Sequence, residues 1–387
     1  MPEVLLLGGR APVALDLARR FAHHGWTTYV ADSVSCRLTS SSRAVSGSVR
    51  LASPRHAPGD FVRGLLGAIT RWGIELIVPT CEEVFFLSRY RHLLPASVRV
   101  LADDIELLRL LHSKWHFLQL AEGCGAGVPA AATVDSLAQA RDWAAGRPVV
   151  LKPEFSRFGV HVRLYPDGIP ANAPALPSLG RWVVQQFIAG REFSSYSVAD
   201  RGRLLAHSLY RPAYRLAGSA SFYFEAARIE ASRKFVEALV QKTGFTGQIS
   251  FDWMLGDNAT LSVLECNPRA TSGCHLFAQG DALPAALAGA STSLSEPTTA
   301  RPRMLAPVML SAGLATAVRQ GRLAEWRRDF HAAEDVITVP GDRWPLLGGA
   351  VDIGAYAGLA LRRHESLREA STQDIEWDGQ ELLDVAA

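Results

Sequence analysis

Apolar positions along this chain change period, and each change marks an element. Near the N-terminus they cluster in short runs within 3–7, 27–31, 74–78 and 98–101, which read as strands buried on both faces. Between them, residues 12–24 and 61–72 carry apolar side chains at helical spacing. Strands alternating with helices in this way predict a parallel sheet covered on both sides. Further on, Asp103 or Asp104 caps a helix through Leu111, and a second helix spans 115–122 after His112-Ser113-Lys114. Asp135 or Ser136 caps a third through Ala144.

After that the pattern shortens to strands and turns. Residues 148–153 and 181–184 read as short strands, and 193–198 with 204–210 as a hairpin about Asp200-Arg201-Gly202. Residues 211–219 look too irregular for a strand. Phe235, Val236, Leu239 and Val240 lie at helical spacing within 232–243. A second hairpin pairs 248–254 with 260–267 around Gly256-Asp257-Asn258. There follow a helix at 281–290, a Ser-, Thr- and Pro-rich linker at 291–303, a strand at 306–310 and an amphipathic helix near 323–330. Two last short strands are expected at 336–339 and 374–379.

The second hairpin carries the most specific chemistry. It brings Asp252 beside Glu265 and Asn267, and the latter two are two residues apart, so they share one face of their strand. Two carboxylates and an amide oxygen suit a hard divalent cation that takes phosphate oxygens as its remaining ligands. Arg269 follows, with a planar fork for phosphate or carboxylate. Two acids alone would read as a solvated hairpin. Glu-x-Asn-Pro-Arg at a fixed distance after a strand aspartate is far more specific.

This set resembles the magnesium-binding end of the ATP-grasp superfamily. The spacing from Asp252 to Glu265 is similar to that of the D-alanine–D-alanine ligase branch. Asn267-Pro268-Arg269 is more like the carbamoyl-phosphate synthase and biotin carboxylase branches. Further motifs follow in the family's order. Lys114 opens a helix, and Lys152 ends a short strand, where a lysine is costly unless it meets an anion. A loop at 154–161 follows, with one glycine where the family has several, so Ser156 and Arg157 are candidates to supplement its backbone amides. Gln185 to Glu192 resembles the hinge that holds adenine. By that match Gln185 meets the exocyclic amine, the backbone of Gln186 and Ile188 meets the ring, and Glu192 binds the ribose. Arg211, Arg215, His275 and Glu83, or its neighbour Glu82, are candidates for the acceptor substrate. Solvated arginines and a helix-start role for the two glutamates are the ordinary alternatives.

The resemblance spans about residues 1–290 and implies an α/β (α+β) ATP-grasp fold. A Rossmann-like domain at 1–102 precedes a two-lobed ATP-grasp domain at 103–300, with its lid at about 130–188. Residues 301–387 have no assigned chemistry, and packing over the active site or a homodimer contact would fit them. The implied reaction activates a carboxylate as an acyl phosphate with ATP and magnesium, or manganese, and then joins it to an amine, releasing ADP. Arg269 and Lys152 would stabilise the moving charge, and Asp252, Glu265 and Asn267 would hold the metal.

Composition adds to the picture. The chain has 387 residues, enough for two or three domains. Its net charge of +2 argues against nucleic acid as a partner. Its only lysines are Lys114, Lys152, Lys234 and Lys242 among many arginines, which singles out the first two as phosphate ligands. Five scattered cysteines read as free thiols of a cytoplasmic protein, and no apolar run reaches membrane-spanning length. Two other classes stay open. Gly8, Gly9 and Asp32 imitate a dinucleotide site of an oxidoreductase, without the G-x-G-x-x-G spacing. A non-catalytic ATP-binding module would account for the glycine-poor loop.

Overall fold

Alternate residues of the N-terminal strands face two different cores. In this computed structural model, which describes residues 1–156, 161–216 and 221–385, five parallel strands come first. They are β1 (Glu3–Leu7), β2 (Thr27–Asp32), β3 (Gly47–Arg50), β4 (Leu76–Val78) and β5 (Arg99–Val100), in the order β3-β2-β1-β4-β5. Leu5, Leu7 and Ile77 pack with the helices Pro58–Trp72 and Glu83–Tyr90. Val4, Leu6, Leu76 and Val78 pack with Pro12–His23 on the other face. Coverage on both sides is why these strands lack polar alternation. β3 was not legible because it is a half-exposed edge strand of four residues.

Two sheets follow, antiparallel but for one parallel pair at the edge of the larger. The smaller has β6 (Ala131–Val134), β7 (Val149–Pro153), β8 (Arg163–Tyr165) and β9 (Trp182–Gln186), in the order β6-β9-β7-β8. Helix Leu137–Ala144 seals one face through Ala140 and Ala144 against Val149, Leu151 and Trp182. The larger has β10 (Gly190–Asp200), β11 (Arg203–Arg215), β12 (Ser221–Ala227), β13 (Gly247–Gly256), β14 (Leu261–Asn267), β15 (Arg303–Met304) and β16 (Glu334–Asp335). Its order is β14-β13-β10-β11-β12-β15-β16. Helix Glu230–Thr243 covers it, with Phe235 edge-on to Phe251 at 5.4 Å and to Trp253 at 5.2 Å.

The structure corrects several expectations. Residues 211–215 continue β11, and two slips of register against β12 absorb Pro212 and its neighbours. Residues 306–310 lie in helical turns rather than a strand; Pro307 sits in the first turn, where its missing N–H costs nothing. The helix expected at 281–290 is limited to Leu283–Leu287. The strand near 336–339 is only Glu334–Asp335, and residues 374–379 form no strand.

Helix Trp344–Arg363 also departs from the sequence reading. It has 20 residues, and an 18-residue window of it has mean hydropathy 1.2, long and apolar enough to cross a membrane by length and composition. Its glycines and alanines hid this, and Asp352 interrupts it. That aspartate is buried and accepts the backbone N–H of Arg37 at 2.9 Å and of Leu38 at 2.7 Å. Gly348 lies so close to Arg37 that an added Cβ would stand 2.2 Å from its carbonyl oxygen.

Residues 371–383 return to the carboxyl end of the first sheet. Arg10 donates to both carboxylate oxygens of Asp374 at 2.7 Å and pairs with Asp32. The acid that imitates a dinucleotide site is thus occupied by the chain's own arginine.

Candidate active site

The hairpin β13–β14 sets Asp252 opposite Glu265 and Ser250 opposite Asn267. The ladder slips between Asp252 and Trp253, leaving Leu264 without a cross-strand partner. Lys152, at the end of β7 in the other sheet, donates to that Leu264 carbonyl at 3.2 Å and stands 3.7 Å from Glu265 Oε2. The bulge therefore gives the lysine a backbone acceptor beside its carboxylate. Asn267 Nδ2 reaches Asp252 Oδ2 at 3.4 Å, and Arg269 Nη2 donates to Asn267 Oδ1 at 3.2 Å.

Lys114 comes from a different element. Ser113 caps helix Lys114–Glu122, accepting the N–H of His116 at 3.1 Å, and its hydroxyl donates to Glu154 at 2.5 Å. Lys114 Nζ donates to the Ser156 carbonyl at 2.7 Å. The two lysines are 4% and 5% exposed, and burial lowers both pKa values, that of Lys152 to about 8. Burial opposes the Glu265 charge, but Lys114 and Lys152 outweigh it and hold that carboxyl down to about 2. Asp252 goes the other way: burial, then the Glu265 charge, push it up to about 7. Both lysines act on Glu265, while Asp252 has only a weaker influence from Arg215, so the pair is short of positive charge. An all-oxygen donor set of this kind can hold a hard divalent ion.

Gln185 to Glu192 spans the crossing from the small sheet to the large one, through β9 and β10. Gln185 is 2% exposed, and its Nε2 has no partner among the described residues. The N–H of Gln186 goes to the Ala130 carbonyl at 2.8 Å, while Ile188 approaches Gly256. Glu192 is half-exposed and ion-paired to Arg215, and Arg211 is exposed and paired to Glu225. Residues 157–160 of the glycine-poor loop, Arg157 among them, lie outside the described residues.

Two candidates for substrate contact have other partners. Glu83 is buried and accepts the N–H groups of Thr80 at 2.8 Å and Cys81 at 2.9 Å, so it anchors its own helix start. His275 is buried against Asp16 at 2.9 Å. Asp16, Cys274 and His275 lie close together, but Arg20 already pairs with Asp16 at 3.2 Å, so the group is satisfied without a metal. Conversely, three polar contacts were missed. Ser194 donates to Asp252 at 2.7 Å, Ser250 donates to the Arg269 carbonyl at 3.0 Å, and Glu82 lies 3.7 Å from Arg269 Nε. Serines in strands and one of two adjacent glutamates gave no signal to find them.

Residues 111–273, which include both lysines, the Gln185 to Glu192 crossing and the β13–β14 hairpin, match the model of the ATP-grasp domain. The chain carries an ATP-grasp domain. Solved structures share the fold around it. The N5-carboxyaminoimidazole synthetase of Staphylococcus aureus, complexed with ADP, superimposes with TM-score 0.59 at 15% identity, over 78% of this chain and 80% of that one. The L-amino acid ligase of Bacillus licheniformis gives 0.51 at 16%, over 70% and 68%. The biotin carboxylase domain of the Hydrogenobacter thermophilus 2-oxoglutarate carboxylase, a dimer with MgADP and bicarbonate, gives 0.55 at 14%, over 70% and 65%. No curated protein matches the chain by sequence. Within the ATP-grasp domain the carboxylate face belongs to the large sheet, and Lys152 reaches it from the small one.

Proposed function

We propose that the protein is an ADP-forming ligase that activates a small-molecule carboxylate as an acyl phosphate and joins it to an amine. The observation that carries this is the pair of buried lysines beside Glu265, across the hairpin from Asp252. Burying two ammonium groups is expensive, and a polyphosphate between the sheets is the anion that would repay it. Asp252, Glu265 and Asn267 would hold magnesium, which when bound offsets charge on the phosphate oxygens. Lys114 and Lys152 would neutralise the nucleotide's phosphates, and Gln185 and Glu192 would orient its base and ribose. Arg269 would steady charge on the transferring phosphoryl group. Exclusion of water around the acyl phosphate would protect it from hydrolysis. Among the structural relatives are complexes with ADP and MgADP and an L-amino acid ligase, in agreement with this chemistry. A homodimer is part of the proposal and is checked by light scattering.

Screening acid and amine pairs for ADP release, with mass spectrometry of the products, tests the proposal. ADP release that requires one acid and one amine, with an amide product, is the expected result. Magnesium-ATP binding without turnover for any pair would leave a non-catalytic nucleotide-binding module.

The Asp252 shift predicts how metal and pH interact. Its folded pKa, about 7, exceeds the ordinary 3.8, so between these values the folded protein holds a proton the unfolded chain has lost. The contribution of Asp252 to the stability of the metal-free protein is therefore largest below that window and falls as pH rises through it. Magnesium competes with that proton, so its apparent affinity should drop by up to about tenfold per pH unit below 7. Thermal melts with and without magnesium should show a larger stabilisation near pH 8 than near pH 6. Equal shifts at both would remove Asp252 from the metal site.

A further inference from the structure

The last described stretch of the chain runs to the active site rather than away from it. Residues 371–383 are stitched to the first sheet and its helices by Asp374 on Arg10, by Arg55 Nη1 donating to the Glu376 carbonyl at 2.9 Å, and by Tyr90 donating to the Leu383 carbonyl at 2.8 Å. Between these stitches Trp377 is 2% exposed. Its ring stacks on Phe85 at 4.7 Å and meets Phe155 edge-on at 5.2 Å, with the His112 ring 6.1 Å away. Its backbone N–H donates to Glu82 Oε2 at 3.1 Å, and the other oxygen of Glu82 lies 3.7 Å from Arg269 Nε. Gly379, at φ +89°, presses so closely on Phe155 that an added Cβ would stand 2.5 Å from its ring.

Both neighbours of this tryptophan lead to the candidate phosphate ligands. Phe155 lies between Glu154, which takes the Ser113 hydroxyl, and Ser156, whose carbonyl takes the Lys114 ammonium. Arg269 in turn donates to Asn267. His112 completes the cage, buried with neither ring nitrogen hydrogen-bonded among the described residues. A core built only for packing would favour an apolar ring there, and such local conflicts concentrate at functional sites.

We infer that the C-terminal segment is part of the active site, with Trp377 a positioning residue that seats Arg269 through Glu82 and Lys114 through Phe155. The inference rests on the ligase reading. It assigns a role to a region with no chemistry of its own: the segment joins the nucleotide's two cationic contacts across the sheets.

The probe is ATP with magnesium, applied to the full chain. Trp377→Ala should weaken binding by calorimetry about tenfold or more, whereas Trp377→Phe, which keeps the ring and the backbone donor, should stay within about threefold. Magnesium-ATP should change the wild-type tryptophan emission, and Trp377→Phe should lose most of that change while keeping its affinity. Gly379→Ala, which keeps the Trp377 side chain but crowds Phe155 and strains the backbone at φ +89°, should weaken binding like the alanine variant, and it decides alone if Trp377→Ala does not fold. Wild-type affinity in Trp377→Ala, or in Gly379→Ala when that variant decides, would overturn the inference and leave the ligase reading standing, as would an undiminished emission change in Trp377→Phe. A wild-type chain that does not bind magnesium-ATP would overturn both.

Discussion

Glu265→Gln should lower ADP release by two to three orders of magnitude, about what loss of one preorganised charge contact costs an enzyme. The substitution keeps the shape and removes the charge. In the native site that charge faces two buried ammonium groups, with Lys152 3.7 Å away and Lys114 the stronger influence on its pKa. The amide would take from both lysines the carboxylate that most favours their charge and present an N–H₂ where a metal or lysine needs an acceptor. Asp252 would lose the like charge that raises its pKa and would ionise at lower pH. The variant should therefore fold, melt somewhat lower, and respond less to magnesium. Turnover within a fewfold of wild type, in a coupled ADP assay with an active acid–amine pair, would remove Glu265 from the proposed site.

Lys152→Met should separate activity from stability. Methionine has a similar length and no charge, so it fills the end of β7 without a cavity. Burial already lowers the Lys152 pKa to about 8, which marks the ammonium as poorly solvated in the folded state. Removing it relieves that cost, and Glu265 keeps Lys114, so melting should move by no more than about 1–2 kcal/mol in either direction. Nucleotide binding is another matter. Loss of a buried cation from a polyphosphate should raise the Kd for magnesium-ATP by about two orders of magnitude and suppress ADP release further. Calorimetry and the ADP assay check this together. A folded variant that binds magnesium-ATP like wild type would show that Lys152 balances Glu265 and nothing more.

What was readable in advance was local. The strand Asp252 to Asn267 hairpin, the helix after Lys114 and the short strand ending at Lys152 each carry their signal within a few residues: a turn, a cap, an apolar run. The failures share a cause. Residues 211–215 join β11 because β12 pairs with them, although their own sequence disfavours a strand. Residues 306–310 contain enough Val, Met and Leu for either period, and helical turns won where Pro307 could open one. Glu82 and Glu83 are neighbours of like chemistry, yet one closes its own helix start and the other reaches Arg269.

By itself, then, the amino-acid sequence determined most of the elements that carry the candidate site and the set of charged side chains that a hairpin and two lysines would present. Tertiary structure alone decided their company. It buried His275 against Asp16, turned Asp32 toward Arg10, and brought Trp377 across 295 residues to Glu82. Turns, caps and periodicity act between residues close in the chain, so they leave a local mark. A contact between distant segments depends on how whole sheets pack, and no short stretch of sequence records it.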